Sequence, residues 1–511
     1  MKRQWACAGL VFALLARQSP AQEAGTSTND IKALLQRIQE LEQKVRVLEQ
    51  NQKPVPDTNA AAREEKIQAL DQQVRILQRN RELDQEAAEA KAKEFPRISL
   101  GADGFVFRSA DTNFGVQLGG VLQVDSRSFF EDHGIVGNDG LLLRRARPIL
   151  AGTVYRDFDF LFVPDFGTGN NGGSASTPTI FDAYINYRYR PELQLRGGKF
   201  KSPVGLEQLQ ADRDIMFNER ALPTDLVPNR DVGFALWGEL FGGVASYSVG
   251  IYNGDGDARN SNNSDFEDDK AFEARVFFQP FKNSGIAPVE KLGFGLGGSY
   301  ESMQGTNTTG LPNTTGASLP GYATVGQQQF FAYNPAGATV VADGQHWRLS
   351  PQGYWYYGPF GLLAEYVISN QRVTRSGTNA QPAVNLNNTA WQVAGSWVVT
   401  GEDAVYGTLT PRHPFNLTSG DWGAWQLVAR YSELDIDSDA FPLFSNPQTS
   451  ASRAQECSIG VNWYLNRNVM LKTSFARTWF KGGGNGSATS APGNVSSQAE
   501  NVLFTRFQLA F

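Results

Sequence analysis

Apolar and polar residues alternate along this chain, segment after segment, and that period of two restricts the fold more than any other feature. In "NFGVQLGGVLQVDSRSFF", Phe114, Val116, Leu118, Leu122 and Val124 share one face, and Gln117, Gln123, Asp125 and Arg127 share the other. "FDAYINYRYR" sets Phe181, Ala183, Ile185, Tyr187 and Tyr189 against Asp182, Asn186, Arg188 and Arg190. "GAWQLVARYSELD" sets Trp425, Leu427, Ala429 and Tyr431 against Gln426 and Arg430. Successive side chains of a strand point to opposite faces, so each segment is a strand with one apolar and one polar face. Each runs for about ten residues, the length a tilted strand needs to cross a bilayer.

The connections alternate as well. Tight turns at "YRPELQ", "ELFGGV", "YYGPFG" and "YLNRNV" are interleaved with long polar tracts such as "FGTGNNGGSASTPT" and "KGGGNGSATSAPGNVSSQ". Short turns at one end and long loops at the other are the pattern of an outer-membrane barrel, apolar outside and polar inside. The segments predict an all-β fold, a sixteen-stranded antiparallel transmembrane β-barrel over residues 96–511. The connection Gly401–Gly420 is then the one long segment on the short-turn side. The last strand, "NVLFTRFQLAF", turns Leu503, Phe507, Leu509 and Phe511 outward against Phe504, Arg506 and Gln508.

Ahead of the barrel the period becomes helical. Residues 1–21 read as a signal peptide: Lys2 and Arg3, the short apolar run "WACAGLVFALLA", and "SPA" ending at Ala21. Residues 22–95 read as an α-helical coiled-coil stalk. Ile31, Leu34, Ile38, Leu41, Val45 and Leu48 form a heptad seam, Pro54 and Pro56 break it, and Ile67, Leu70, Val74 and Leu77 form a second. An even strand count puts both barrel ends at the short-turn end, so the stalk is expected on the periplasmic side. Cys7 leaves with the signal peptide and Cys457 remains alone, which excludes an internal disulfide and a cysteine metal cluster.

From about Asn113 to Phe511 the chain resembles the phosphate-selective porin O/P family. "RRARPILAGTVYRDFDF", "DAYINY", "GKFKSPVGLEQL", "FNERALP", "NRDVG", "GAWQLVARYSELDID" and "NWYLNRNV" carry the resemblance. It implies an anion-conducting pore, a homotrimer, and a third external loop that folds into the barrel and sets the pore width. That loop follows the strand "LQLRGGKF". Its segment "LEQLQADRDIMFNER" is expected to be helical, which would place Arg213 and Arg220 on one face, roughly 10 Å apart.

The candidate pore residues are accordingly Lys199, Lys201, Arg213, Arg220 and Arg230 in and beside the loop, and Arg144, Arg145 and Arg147 on the second barrel strand. Arg145 and Arg147 share the inward face; Arg144 joins them only across a bulge. Asp182 faces inward, and the resemblance implies that an acid near this place moderates anion binding. The competing reading pairs the loop's bases with Glu207, Asp212, Asp214, Glu219, Asp225 and Asp231, which outnumber them.

Beyond residue 95 the chain holds 31 Lys and Arg against 38 Asp and Glu. An anion pore in an acidic barrel requires that local wall charge decide selectivity. The three histidines, His133, His346 and His413, show no metal spacing, and no nucleotide or calcium motif survives inspection. The sequence therefore describes an outer-membrane porin for small anions such as phosphate or polyphosphate, with no cofactor, no enzymatic activity and no nucleic-acid partner. The alternatives are a porin for a sugar or organic acid, and an anchor whose stalk contacts the cell wall. Outer-membrane lipid surrounds the barrel in each case.

Overall fold

The alternating segments close into one antiparallel barrel in the computed structural model, which describes residues 43–44, 60–94, 96–130, 139–167, 178–258, 260–261, 263, 268–305, 319–333, 338–377, 380–482 and 499–511. The chain divides into two compact units, Met1–Ala88 and Glu89–Phe511. The signal-peptide segment lies outside the described residues, and so does the Ile31–Leu48 seam apart from helical Gln43 and Lys44. Helix α1 (Ala60–Glu94) follows the proline break. Its seam residues Ile67, Leu70, Val74 and Leu77 are all exposed in the single chain.

The first strands, β1 (Arg97–Gly101) and β2 (Gly104–Arg108), form a hairpin. The wall then runs through β3 (Gly115–Phe130), β4 (Gly140–Val154), β5 (Phe158–Asp165), β6 (Thr179–Arg190), β7 (Leu193–Lys201), β8 (Arg230–Leu240), β9 (Ala245–Tyr252), β10 (Ala271–Phe278) and β11 (Lys291–Gln304). The short strands β12 (Gly321–Ala323) and β13 (Gln329–Ala332) pair with each other inside the fifth outer loop. The wall resumes with β14 (Ala338–Tyr357), β15 (Phe360–Gly377), β16 (Gln381–Val398), β17 (Ala424–Asp435), β18 (Arg453–Tyr464), β19 (Val469–Lys481) and β20 (Glu500–Ala510). Without the two hairpins the wall has sixteen strands, as the segment count predicts.

Closure is by main chain. β20 pairs with β3, and Phe511 and Gly120 exchange both N–H···O bonds at 3.0 and 2.9 Å. Where β20 ends, β2 takes over as the partner of Gly115–Leu118. The amide of Asn468 ties the two together, donating to the carbonyls of Ala102 and Ala510 at 2.6 and 2.7 Å. Gly104, at φ +84°, permits this approach: a Cβ there would lie 2.2 Å from the Leu118 oxygen.

The faces divide as expected along β3 and β20. Leu122, Val124 and Phe507 are exposed outward, and Gln123, Asp125, Arg506 and Gln508 are buried inward. On the opposite side the expectation of a polar interior fails. Val340, Ala342, Val367, Val373, Leu386, Ala390 and Leu434 of β14–β17 belong to one apolar cluster with loop residues Leu222, Leu226, Tyr322, Phe330, Phe331 and Phe444. Loops cover that part of the inner wall, so apolar side chains are stable there without facing water. From the short-turn end, the long connection between β16 and β17 also turns inward. Its Ala404 and Leu409 pack with Leu206, Met216 and Phe217 of the third outer loop.

Candidate functional site

The third outer loop, residues 202–229 between β7 and β8, lies inside the barrel. Its regular structure is one α-helical turn, α2 (Leu206–Leu209), ended by an extended Gln210, and a 3-10 turn at Leu222–Leu226. The expected helix through Arg220 does not form, so Arg213 and Arg220 do not share a helical face. The loop is held from below by the β16–β17 connection: Gln210 Nε2 donates to the Tyr406 carbonyl at 2.7 Å, and Tyr406 Oη donates to the Leu206 carbonyl at 2.6 Å.

Two loop acids fix it against the wall. Glu219 accepts a two-point bond from Arg144, at 2.6 and 2.9 Å, and single bonds from Arg127 and Arg506 at 3.2 Å each. Arg506 also grips Asp125 with two bonds of 2.6 and 2.7 Å. Asp212 meets Arg145 at 3.4 Å and pairs closely with Arg147 and Arg220. Burial alone would raise the pKa of both acids. The surrounding guanidinium charges outweigh it, led by Arg144 for Glu219 and by Arg145, Arg220 and Arg147 for Asp212, and hold both carboxyls well below the usual range. Arg144 reaches this cluster because the β3–β4 register shifts beside Gln123 and Val124, a bulge that turns it inward with Arg145 and Arg147.

The remaining predicted residues divide. Lys199 donates to Asn263 Oδ1 at 3.1 Å and to the Ser261 carbonyl, so it ties down the fourth outer loop. Lys201 donates to the Leu209 and Gln210 carbonyls. Arg220 is paired with Asp212 and donates to the Glu207 and Gln210 carbonyls at 3.1 and 2.7 Å, so it is an internal tie of the loop. Arg213 is the most open of the group, its side chain 39% exposed, with Asp214 3.7 Å away.

Two cavities inside the barrel adjoin, with four lining residues in common. A narrow chamber of about 70 Å³ is lined by Arg144, Arg145, Arg147, Arg220 and Arg230 with Asp212, Glu219 and Asp225. A wider one of about 550 Å³ is lined by Arg147, Arg196, Lys201, Arg213 and Arg230 with Asp103, Asp182 and Asp212. Both include Arg147, Phe181, Asp212 and Arg230. The guanidinium carbons of Arg147 and Arg230 lie 3.5 and 3.4 Å from the centre of the Phe181 ring.

Phe181 was expected on the lipid side. The β5–β6 register shifts between Val163 and Pro164, leaving Phe181 without a cross-strand partner. Pro164 has no N–H to offer the ladder, which confines it to bulges and edges, and the bulge turns Phe181 inward beside Asp182. Asp182 does face the lumen, and it accepts a 3.1 Å bond from Arg230 Nε. Sequence reading also missed Arg196, whose guanidinium lies 4.5 Å from the ring centre of Tyr184 and 4.7 Å from that of Trp237. The alternation of "LQLRGGKF" was the signal that could have found it.

His346 is fully buried between Glu301 and Asp257, with Ser369 Oγ 3.0 Å from its Nε2. Ser369 donates to Asp257 at 2.8 Å, and Arg348 pairs with both acids, at 2.6 and 2.9 Å. The group fastens Asp257 of the fourth outer loop to the wall.

A family model described as phosphate-selective porin O and P matches residues 116–511. The chain is 24% identical over 397 residues to Porin O of Pseudomonas aeruginosa, covering 73% of this chain and 85% of that protein. Among solved structures, the outer membrane channel DcaP of Acinetobacter baumannii aligns at 13% identity and a TM-score of 0.47, over 79% of this chain and 99% of that one. An anion-selective porin from Comamonas acidovorans aligns at 11% identity and 0.46, over 78% of this chain and 100% of that one.

Proposed function

The chain belongs to the phosphate-selective porin O and P family, and from that premise we propose that its pore passes small anions, phosphate among them, by means of fixed guanidinium charge where the two cavities meet. It is an outer-membrane porin, a channel and not an enzyme. The observation that carries the anion reading is local charge. In each cavity five basic side chains face three acids, although the barrel as a whole is acidic. Cations fixed in a narrow passage with low-dielectric walls attract anions more strongly than they would in open water.

The residues divide the work. Arg147 and Arg230 stand at the junction and meet the passing ion. Arg213, Lys201 and Arg196 make the wider cavity positive and steer anions toward it. Asp182 aims Arg230 and offsets part of its charge. Arg144, Arg145 and Arg220 hold the loop that forms the constriction, and Lys199 holds the loop beside it. Asp225 adds little negative charge at neutral pH, because burial pushes its carboxyl up to about 8. In a planar bilayer under a potassium chloride gradient, the reversal potential should report a preference for chloride. A preference for potassium would sink the reading.

The exposed seam of α1 supports a second element of the proposal. Four apolar residues at heptad spacing have no cover among the described residues, and we assign copies of the same helix as their partner. Association into a homotrimer with a periplasmic coiled coil, after cleavage of residues 1–21, satisfies that seam. Leu70→Asp would place a charge in it and should weaken the oligomer on a native gel while conductance per pore stays the same.

A further inference from the structure

We propose that Phe181 is the spacer that sets the specificity of the constriction: its ring holds Arg147 and Arg230 on its two faces at a separation that one tetrahedral oxyanion bridges from the lumen. The inference rests on the anion-porin reading and deepens it by naming the ligand geometry.

The separation follows from the contacts. A guanidinium carbon 3.5 Å from a ring centre must lie over the ring face, because in the ring plane it would collide with the ring atoms. Two such carbons on one face would nearly coincide. Arg147 and Arg230 therefore occupy opposite faces, and their charged carbons stand about 7 Å apart. The ring attracts both cations through its electron-rich faces, so it holds apart two like charges that would otherwise repel.

Orientation is fixed on the far side of each guanidinium. Arg147 donates from Nε to Asp165 at 2.7 Å and from one terminal nitrogen to Asp212. Arg230 donates from Nε to Asp182 at 3.1 Å and from one terminal nitrogen to Asn229 at 2.8 Å. The second terminal nitrogen of each has no hydrogen-bond partner among the described residues, and both arginines line both cavities. A stacked guanidinium directs its N–H groups in its own plane, past the rim of the ring. Two open donors thus face the passage in roughly parallel planes. Charge-assisted bonds of roughly 2.8 Å from either side, with one oxyanion edge between them, span that separation once each guanidinium tilts its open N–H toward the anion at the rim of the ring. A spherical halide has no edge to bridge the two planes, so it engages one guanidinium at a time and passes.

The test titrates the chloride current of the full-length porin with inorganic phosphate in a planar bilayer. The wild type should prefer chloride over potassium and be blocked by phosphate. Phe181→Leu and Phe181→Met keep an apolar side chain but remove the ring. Each should raise the half-blocking phosphate concentration by about tenfold, the loss expected when two stacked cations lose their fixed positions. Chloride preference should remain, since both arginines are present. Phe181→Tyr keeps the ring and should keep the block. Migration of the folded barrel on an unheated gel confirms folding of each variant. An unchanged block in both ring-deleted variants overturns the inference, and so does a tyrosine variant that behaves like the leucine one. A wild-type pore that prefers chloride but ignores phosphate overturns the inference alone; one that prefers potassium overturns the anion-porin reading beneath it.

Discussion

Two groups of arginines stand within the same barrel, and they differ in what their donors are doing. Around Glu219, the side chains of Arg127, Arg144 and Arg506 are directed at carboxylates, with Asp125 gripping Arg506 by two bonds. At Phe181, Arg147 and Arg230 are held by Asp165, Asp212 and Asp182 and stacked on a ring, and each keeps a terminal nitrogen without a hydrogen-bond partner among the described residues. The first arrangement is an anchor; the second is available to a ligand. Counting arginines in a pore therefore does not count binding capacity, because donors held by a carboxylate are not open to a passing ion, and the donors left over around Glu219, Arg127 Nε and Arg506 Nη1, are buried.

The largest effect should come from the anchor. Glu219→Gln removes the charge that several buried guanidiniums share, a change of roughly 3–5 kcal/mol in comparable buried pairs. The folded barrel should lose heat resistance, read as gel mobility against temperature, and conductance should rise as the loop loosens. Unchanged heat resistance would place the anchoring in the apolar packing of Leu206 and Phe217 instead. Arg220→Ala should cost less, about 1–3 kcal/mol, because it breaks ties within the loop while Asp212 keeps Arg145 and Arg147. Chloride preference should stay as it was; a fall in selectivity without a fall in stability would move Arg220 into the ligand group.

Arg230→Ala tests the other side of the comparison. Loss of one open guanidinium, roughly 1 kcal/mol, should cut chloride-over-potassium permeability about fivefold while heat resistance changes little. The reverse pattern would make Arg230 another anchor. The smallest effect concerns pH. Asp225 holds its proton more tightly in the folded protein, up to about 8, because burial disfavours the charged form. Its contribution to stability is thus present at acid pH and is lost as pH rises through that value. Ionisation also adds a negative charge to the chamber, so chloride preference should fall by roughly twofold between pH 7 and pH 9. Asp225→Asn should flatten that dependence, and a variant that still follows the wild-type curve would assign it to another group.

Much of the site was legible in part. Arg145, Arg147 and Asp182 point inward as the alternation predicts, and the third loop lies inside the barrel. Their roles were not legible. Arg144 faces inward only because of a bulge, and Arg220 is consumed within the loop by an acid eight residues away. Phe181 was read on the wrong face because a single bulge opposite Pro164 reverses the side of every residue beyond it until the register recovers.

The sequence by itself determined the sixteen-stranded wall, the outward apolar face along β3 and β20, and the division into short turns and long loops. These are local properties: side chains alternate along a strand because of backbone geometry, and lipid selects the apolar face. Only the tertiary structure decided which interior is polar and which arginines remain open. The apolar inner wall of β14–β17 makes sense only once loops from distant parts of the chain cover it. Likewise the pairing of Arg506 with Glu219 spans 287 residues. Ion pairing and desolvation depend on which groups meet in space, and no period in the sequence records that.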